Sequence, residues 1–366
     1  MLDYIPRLDG LRALAVGLVL LTHFAPIAIV QRLAPGTIGV RLFFVLSGYL
    51  ITRIILDYRR LQPTMQRAAA QFYWRRFLRL APPLVFAICA AAYFGVANMQ
   101  NDWWIHALYL TNFRIALTGE WGAAGHLWSL SVEEQFYLIW FFLLICIPQR
   151  WLLPAIIIAI IVAPLYRIFG VSIGMGPRSI NQMLPGNIDF LAVGGLIAYA
   201  EIRDFALYRR LVILFRNPFA LFIALGAAFG LLAVRDGTPT FTLLAFPLAM
   251  SVAAASFILM AREPDNRLTA CLEWPIVRHL GKISYGIYVY HLFVPAVLGT
   301  FSPYLYAAFG GPPSIMTFTV NTAGTLLIAE LSWWLLERPL SKFKGAIPLD
   351  RPALADEMTA RHAPTR

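Results

Sequence analysis

The sequence predicts an all-α polytopic integral membrane protein of about ten transmembrane helices, with both termini in the cytoplasm. Three observations carry that prediction. Hydrophobic residues fill 59% of the 366 positions and charged residues only 13%, with a mean hydropathy of +0.67; a soluble domain is roughly 25% charged and about half apolar. The apolar residues gather into runs of about 17 to 23, the length that crosses ~30 Å of hydrocarbon. With both termini inside, the joining segments place 24 basic residues on the cytoplasmic side and six outside, the asymmetry that orients inner-membrane proteins.

The first run, 8–30, contains Asp9 and Arg12 and has no small-residue cleavage site behind it, so it reads as a retained span and not a signal peptide. Runs at 38–57 and 78–97 flank a segment with seven Arg between 53 and 79. The stretch from Trp103 to Leu117 is too polar to span and, with its paired Trp, reads as interfacial. Spans follow at 126–147, 151–169, 186–202, 217–234, 240–260, 281–301 and 315–336. Residues 1–340 thus form one transmembrane domain, and the polar, Pro-containing stretch 341–366 reads as a disordered cytoplasmic tail. The net charge of +11 is topological in such a chain and no nucleic-acid footprint. Three Cys, two of them inside apolar runs, make neither a disulfide framework nor a CxxC pair, and no metal is expected.

Ionisable residues within spans are costly in hydrocarbon and mark sites. Arg12 and His23 are eleven residues apart on the first span; eleven residues rise roughly 16.5 Å and turn only ~20° beyond three full turns, so the two share one helix face. Glu133 and Glu134 lie in the outer half of the fourth span, at a depth similar to His23, where one carboxylate beside the imidazole gives a general base. Only one of the adjacent pair can face a given helix, and spacing leaves open which. Arg76 and Arg79, three apart on a helical turn, suit the clasping of phosphates or serve only topology. Ser47 and Gly48 favour close helix packing over a polar role. Ser284, Tyr288 and His291 form a polar stripe at i, i+4 and i+7, with His291 a secondary candidate. Glu337 reads as an anchor to a loop cation. Midplane His and Glu also serve proton relays in secondary transporters, but paired Gly/Pro-interrupted spans in corresponding halves are absent.

The segments LDGLRALAVGLVLLTH, GVRLFFVLSGYL, FYWRRFLRLAP, HLWSLSVEEQFY, LGKISYGIYVYH and ERPL, in this order along nearly the whole chain, resemble the acyltransferase 3 family of integral membrane O-acyltransferases. The resemblance implies transfer of an acyl group, often acetyl, from cytoplasmic acyl-CoA to a hydroxyl of a glycan, glycolipid or glycosylated metabolite. It implies an inner-membrane location of bacterial type. It also implies that His23 is the essential histidine, with Arg12 as its partner, that Arg76 and Arg79 form the pair tied to the donor, and that Glu133 is the carboxylate of the WSLSVE segment. Asp9, Ser47, Trp128, Glu134, Tyr288 and His291 are secondary candidates, Trp128 with Trp121 and the aromatics near Asp189 as acceptor-stacking rings. One departure is Arg41, where many members carry Asp.

Overall fold

A computed structural model describes residues 4–233, 239–263, 265–301 and 314–348. Among them there is no strand. The long helices are α1 (Pro6–Phe24), α2 (Gly36–Leu61), α3 (Met65–Tyr93), α4 (Trp128–Cys146), α5 (Leu152–Ser172) and α6 (Ile188–Arg203). They are followed by α7 (Phe205–Phe215), α8 (Pro218–Ala233), α9 (Pro239–Arg262), α10 (Pro275–Lys282), α11 (Ser284–Tyr290), α12 (Phe293–Phe301) and α13 (Ile315–Ser332). Short helices Met99–Ala107 and Thr111–Thr118 fall in the stretch expected to be interfacial, and Trp103 and Trp104 are exposed there.

Each expected span has a helical counterpart, but not all are long and apolar enough to cross a membrane. Six stretches are, among the described residues: Gly36–Leu61, Met65–Tyr93, Gly125–Cys146, Gln149–Ser172, Leu243–Arg262 and Ile315–Gly345. A seventh results if α7 and α8, bent by 67°, are one broken span. The other expected spans fall short for visible reasons. Three ionisable side chains, Arg7, Asp9 and Arg12, stand in the first two turns of α1, and α6 has only 16 residues. The stretch 281–301, expected to be continuous, is broken on either side of α11. Pro295 lies in the first turn of α12, where its missing N–H costs nothing, whereas a continuous helix would need that N–H bonded to the His291 carbonyl. In the same way α1 stops at Phe24 and not at residue 30, because Ala25 is extended ahead of Pro26.

The bundle is built around α2, which packs against α1, α4, α6 and α9. Glycine permits the closest crossings: a Cβ on Gly48 would overlap the Leu191 carbonyl of α6, and one on Gly194 the Val45 carbonyl of α2. Phe44, Tyr49, Phe136, Trp140 and Phe190 fill the core between these helices. The opposite face of α5 exposes Ile158, Ile161, Leu165 and Phe169, an apolar stripe at helical spacing that suits lipid. The stretch read as a tail from 341 begins packed: Gln71, Trp74 and Arg75 of α3 donate to the carbonyls of Ile347 (2.7 Å), Phe343 (2.9 Å) and Lys344 (3.2 Å). The remainder of that stretch, from 349, lies outside the described residues.

Candidate functional site

Two cavities lie back to back in the bundle, and Val40 and Tyr288 line both. The first, about 580 Å³, is strongly basic: Arg12, Arg53, Arg76, Arg79, Lys282 and Lys344 line it against the acids Asp9, Glu133 and Glu337. Arg12 is partly satisfied by Asp9 (3.0 Å), which also accepts from the Tyr4 hydroxyl (2.6 Å). Arg53 reaches Glu201 at 3.8 Å. Arg76 lies over the Tyr137 ring, 3.6 Å from its centroid, and its Nε is buried without a hydrogen-bond partner. Stacking on a ring holds a guanidinium in place without consuming its N–H donors. The cavity therefore presents preplaced, incompletely paired cations, the arrangement that receives phosphate oxygens.

Local sequence explains how these side chains arrive. In α3 the residues Pro82 and Pro83 loosen the helix just beyond Arg79, and the Tyr285 hydroxyl donates to the Leu80 carbonyl (2.7 Å). A π-helical turn, Trp333–Glu337, follows α13 and brings Glu337 into the cavity wall, buried and beside the Ser332 hydroxyl (3.4 Å).

The second cavity, about 830 Å³, is lined by three histidines, His23, His126 and His291, two guanidiniums, Arg41 and Arg167, and the rings of Trp121, Trp128 and Phe190. The His23 and His291 ring centroids are 5.0 Å apart, and those of His126 and His291 are 4.9 Å apart. His291 Nδ1 is 2.6 Å from the Tyr288 carbonyl and His126 Nε2 is 2.9 Å from the Val289 carbonyl. A carbonyl only accepts, so those nitrogens carry the hydrogen, and in the neutral imidazoles the opposite nitrogens present lone pairs. The opposite nitrogens, His291 Nε2 and His126 Nδ1, are buried without partners. His23, in the last turn of α1, is open to the cavity. Among the described residues the three imidazoles do not form a metal-holding group.

The wall between the cavities is specific. The Tyr288 hydroxyl donates to the His126 carbonyl (2.8 Å), leaving the Ser129 hydroxyl, 2.7 Å away, to donate to it in turn. Arg12 lies on one side of this wall and His23 on the other, both carried by α1.

The sequence-derived residues divide accordingly. Asp9, Arg12, Ser47, Arg76, Arg79 and Glu133 line the basic cavity; His23, Trp128 and His291 line the histidine cavity; Tyr288 lines both. Glu134 lines neither, and its Oε1 is buried without a partner, so of the adjacent pair it is Glu133 that faces the site. Glu133 does not stand beside His23; it accepts from the Ser47 hydroxyl at 2.8 Å. Residue spacing fixes how far each side chain lies along its own helix but not how α1 and α4 are offset against one another, and the two side chains line different cavities. Ser47 thus has a polar role, and the close packing belongs to Gly48. Missing from the sequence reading are His126, Tyr137, Arg53, Lys282 and Lys344; His126 was discoverable as an imidazole at the very start of an apolar run.

A family model described as an acyltransferase domain matches residues 5–336. Similar curated proteins include the peptidoglycan O-acetyltransferase OatA of Listeria monocytogenes, 30% identical over 93% of this chain and 57% of its own length. The O-acetyltransferase OatA of Staphylococcus aureus is 26% identical over 93% of the chain and 57% of its own. The putative peptidoglycan O-acetyltransferase YrhL of Bacillus subtilis is 30% identical over 92% and 55%. The chain spans a little more than half the length of these relatives. No solved structure matches it.

Proposed function

This chain belongs to the acyltransferase domain family, and from that premise we propose that it is a membrane-embedded O-acyltransferase, moving an acetyl group from acetyl-CoA to a hydroxyl of a glycan. The observation that carries the reading is the pair of cavities meeting at Tyr288 and Val40, one basic and one rich in histidine. Support for a glycan acceptor comes from the relatives, whose names place acetyl transfer on peptidoglycan.

In this reading the basic cavity opens to the cytoplasm, as the positive-inside asymmetry expects. Arg12, Arg76 and Arg79 hold the phosphates of the donor, and Asp9 keeps Arg12 oriented. The pantetheine arm follows α1 past the Tyr288 wall, a rise of about 16.5 Å from Arg12 to His23, and presents the thioester to the histidine cavity. His23 removes the proton of the acceptor hydroxyl, the oxygen attacks the thioester carbonyl, and coenzyme A departs as the thiol with that proton. The lone pair on His291 Nε2 then takes the part expected of Glu133, that of a hydrogen-bond acceptor for the imidazolium. A variant passes through an acyl-histidine, formed by His23 on the thioester and resolved by the acceptor.

The test uses the full chain in vesicles supplied with acetyl-CoA and a peptidoglycan fragment. Thiol release that requires the fragment, and that disappears in His23→Ala, is the expected result; release undiminished by His23→Ala sinks both versions. Release without the fragment, together with exchange of labelled acetyl, selects the acyl-histidine route.

A further inference from the structure

The histidine cavity contains a guanidinium whose hydrogen-bond donors are incompletely paired. Two guanidiniums line it and no carboxylate does. Arg167 is accounted for: its Nη2 makes both contacts to the Asp189 carboxylate, at 2.8 and 2.7 Å, and it also donates to the Gly186 carbonyl. Asp189 is thereby spent, its Oδ1 accepting in addition from the Phe190 backbone N–H (3.0 Å). Arg41 has no such partner. It is 8% exposed, and its Nε and Nη1 are buried with no hydrogen-bond acceptor among the described residues.

Three rings hold the Arg41 side chain: Phe44 at 5.6 Å, Trp128 at 5.3 Å and Phe190 at 5.1 Å from the guanidinium carbon. Aromatic faces attract a cation but accept none of its in-plane N–H bonds. A guanidinium held in this way, with two buried donors unpaired and the neighbouring Asp189 carboxylate already engaged by Arg167, is a costly arrangement that an anion relieves by bonding to the free donors. The same cavity has Trp121 and Trp128 in its wall, flat apolar surfaces suited to the faces of sugar rings.

We propose that Arg41 is the anion-recognition point of the acceptor site, and that the acceptor is a glycan carrying a carboxylate or a phosphate near the hydroxyl to be acylated. The proposal rests on the reading that the histidine cavity receives the acceptor. The anion docks on Arg41 and positions the sugar, so that a hydroxyl lies at His23 on the same cavity wall. Arg41 is a specificity residue and takes no part in proton transfer.

The test is binding to the purified full chain with no donor present, so that it does not depend on acyl transfer. Three probes are compared: a muramic-acid disaccharide with its lactyl carboxylate, the same disaccharide with that carboxyl reduced to an alcohol, and a neutral sugar linked to a polyprenyl phosphate. Wild type is expected to bind one anionic probe on the order of 10²-fold tighter than the reduced disaccharide, the loss associated with unpairing a desolvated charge. Arg41→Gln removes that preference and Arg41→Lys keeps part of it. Preference for the muramic acid assigns the anion to a carboxylate, and preference for the lipid-linked sugar assigns it to a phosphate. Equal binding of all three probes by wild type overturns the proposal without recourse to any variant, as does an anion preference unchanged in Arg41→Gln. Acyl transfer with no anion preference overturns the anion site and leaves the acyltransferase reading standing; anion preference without acyl transfer does the reverse.

Discussion

Replacing Tyr288 tests whether the wall between the cavities separates the donor from water. The ring is 6% exposed and borders both cavities, so Tyr288→Ala joins them into one channel. Truncating a buried aromatic costs about 3 to 5 kcal/mol; here water can fill the space from either side, which places the expected loss near 3 kcal/mol. Tyr288→Phe keeps the ring and removes only the hydroxyl, leaving the His126 carbonyl and the Ser129 hydroxyl short of a partner, a cost of about 1 to 3 kcal/mol. The two variants are thus comparably destabilised but differ in whether the wall stands. The assay is thiol release from acetyl-CoA by protein in vesicles, with and without a glycan acceptor, alongside thermal unfolding in detergent. Tyr288→Ala is expected to hydrolyse acetyl-CoA without acceptor, whereas Tyr288→Phe stays coupled. Equal leakage by the two variants, or none by either, refutes the wall.

Two further outcomes follow from other parts of the structure. Arg76→Ala removes a cation stacked on Tyr137 with a free Nε, and KM for acetyl-CoA is expected to rise roughly 10- to 100-fold with little change in kcat, since a hydrogen bond to a charged group contributes about 1.5 to 3 kcal/mol; steady-state kinetics over a donor titration checks this, and Arg76→Lys recovers part of the loss. Outside the spanning helices, burial and the nearby Arg114 push the His106 imidazole down to about 4, while it bonds the Thr111 hydroxyl at 2.8 Å. A base whose folded value is depressed stabilises the fold above its unfolded value of about 6.5, and that contribution, at most about 3 kcal/mol, is lost as pH falls toward 4; amide protection factors over residues 99–118, taken relative to the intrinsic exchange rate at each pH, are expected to fall across that window, and not to do so in His106→Gln.

How much of this was legible in advance depends on which physical signal each feature leaves in one dimension. The positions of the helices follow from apolar runs, because burial in hydrocarbon is a property of segment composition. Their ends follow less well: α1 stops before Pro26 and the ninth run breaks ahead of Pro295, both proline effects that hydropathy averages away. Arg12 and His23 were legible because an ionisable residue inside an apolar run is conspicuous, whereas Arg76 and Arg79 stood out only by their three-residue spacing and the motif that contains them. Lys282, Lys344 and Arg53 were not, since a cation at the end of a run looks like any topological charge until the fold brings three such ends to one cavity. The distribution of His23 and Glu133 between two cavities depends on how far each helix is shifted along its axis, and residue spacing within a helix is silent on the offset between helices.

Val40 and Tyr288 belong to both cavities, so a shift of either side chain on one side changes the shape of the other. Any ligand that shifts Tyr288 in binding to one side alters the free energy of binding on the other, and the factor by which the donor changes affinity for the acceptor is the same factor by which the acceptor changes affinity for the donor. Were such a shift to accompany binding, the two dissociation constants would form a reciprocal pair, and the half-saturation of each substrate would depend on the concentration of its counterpart.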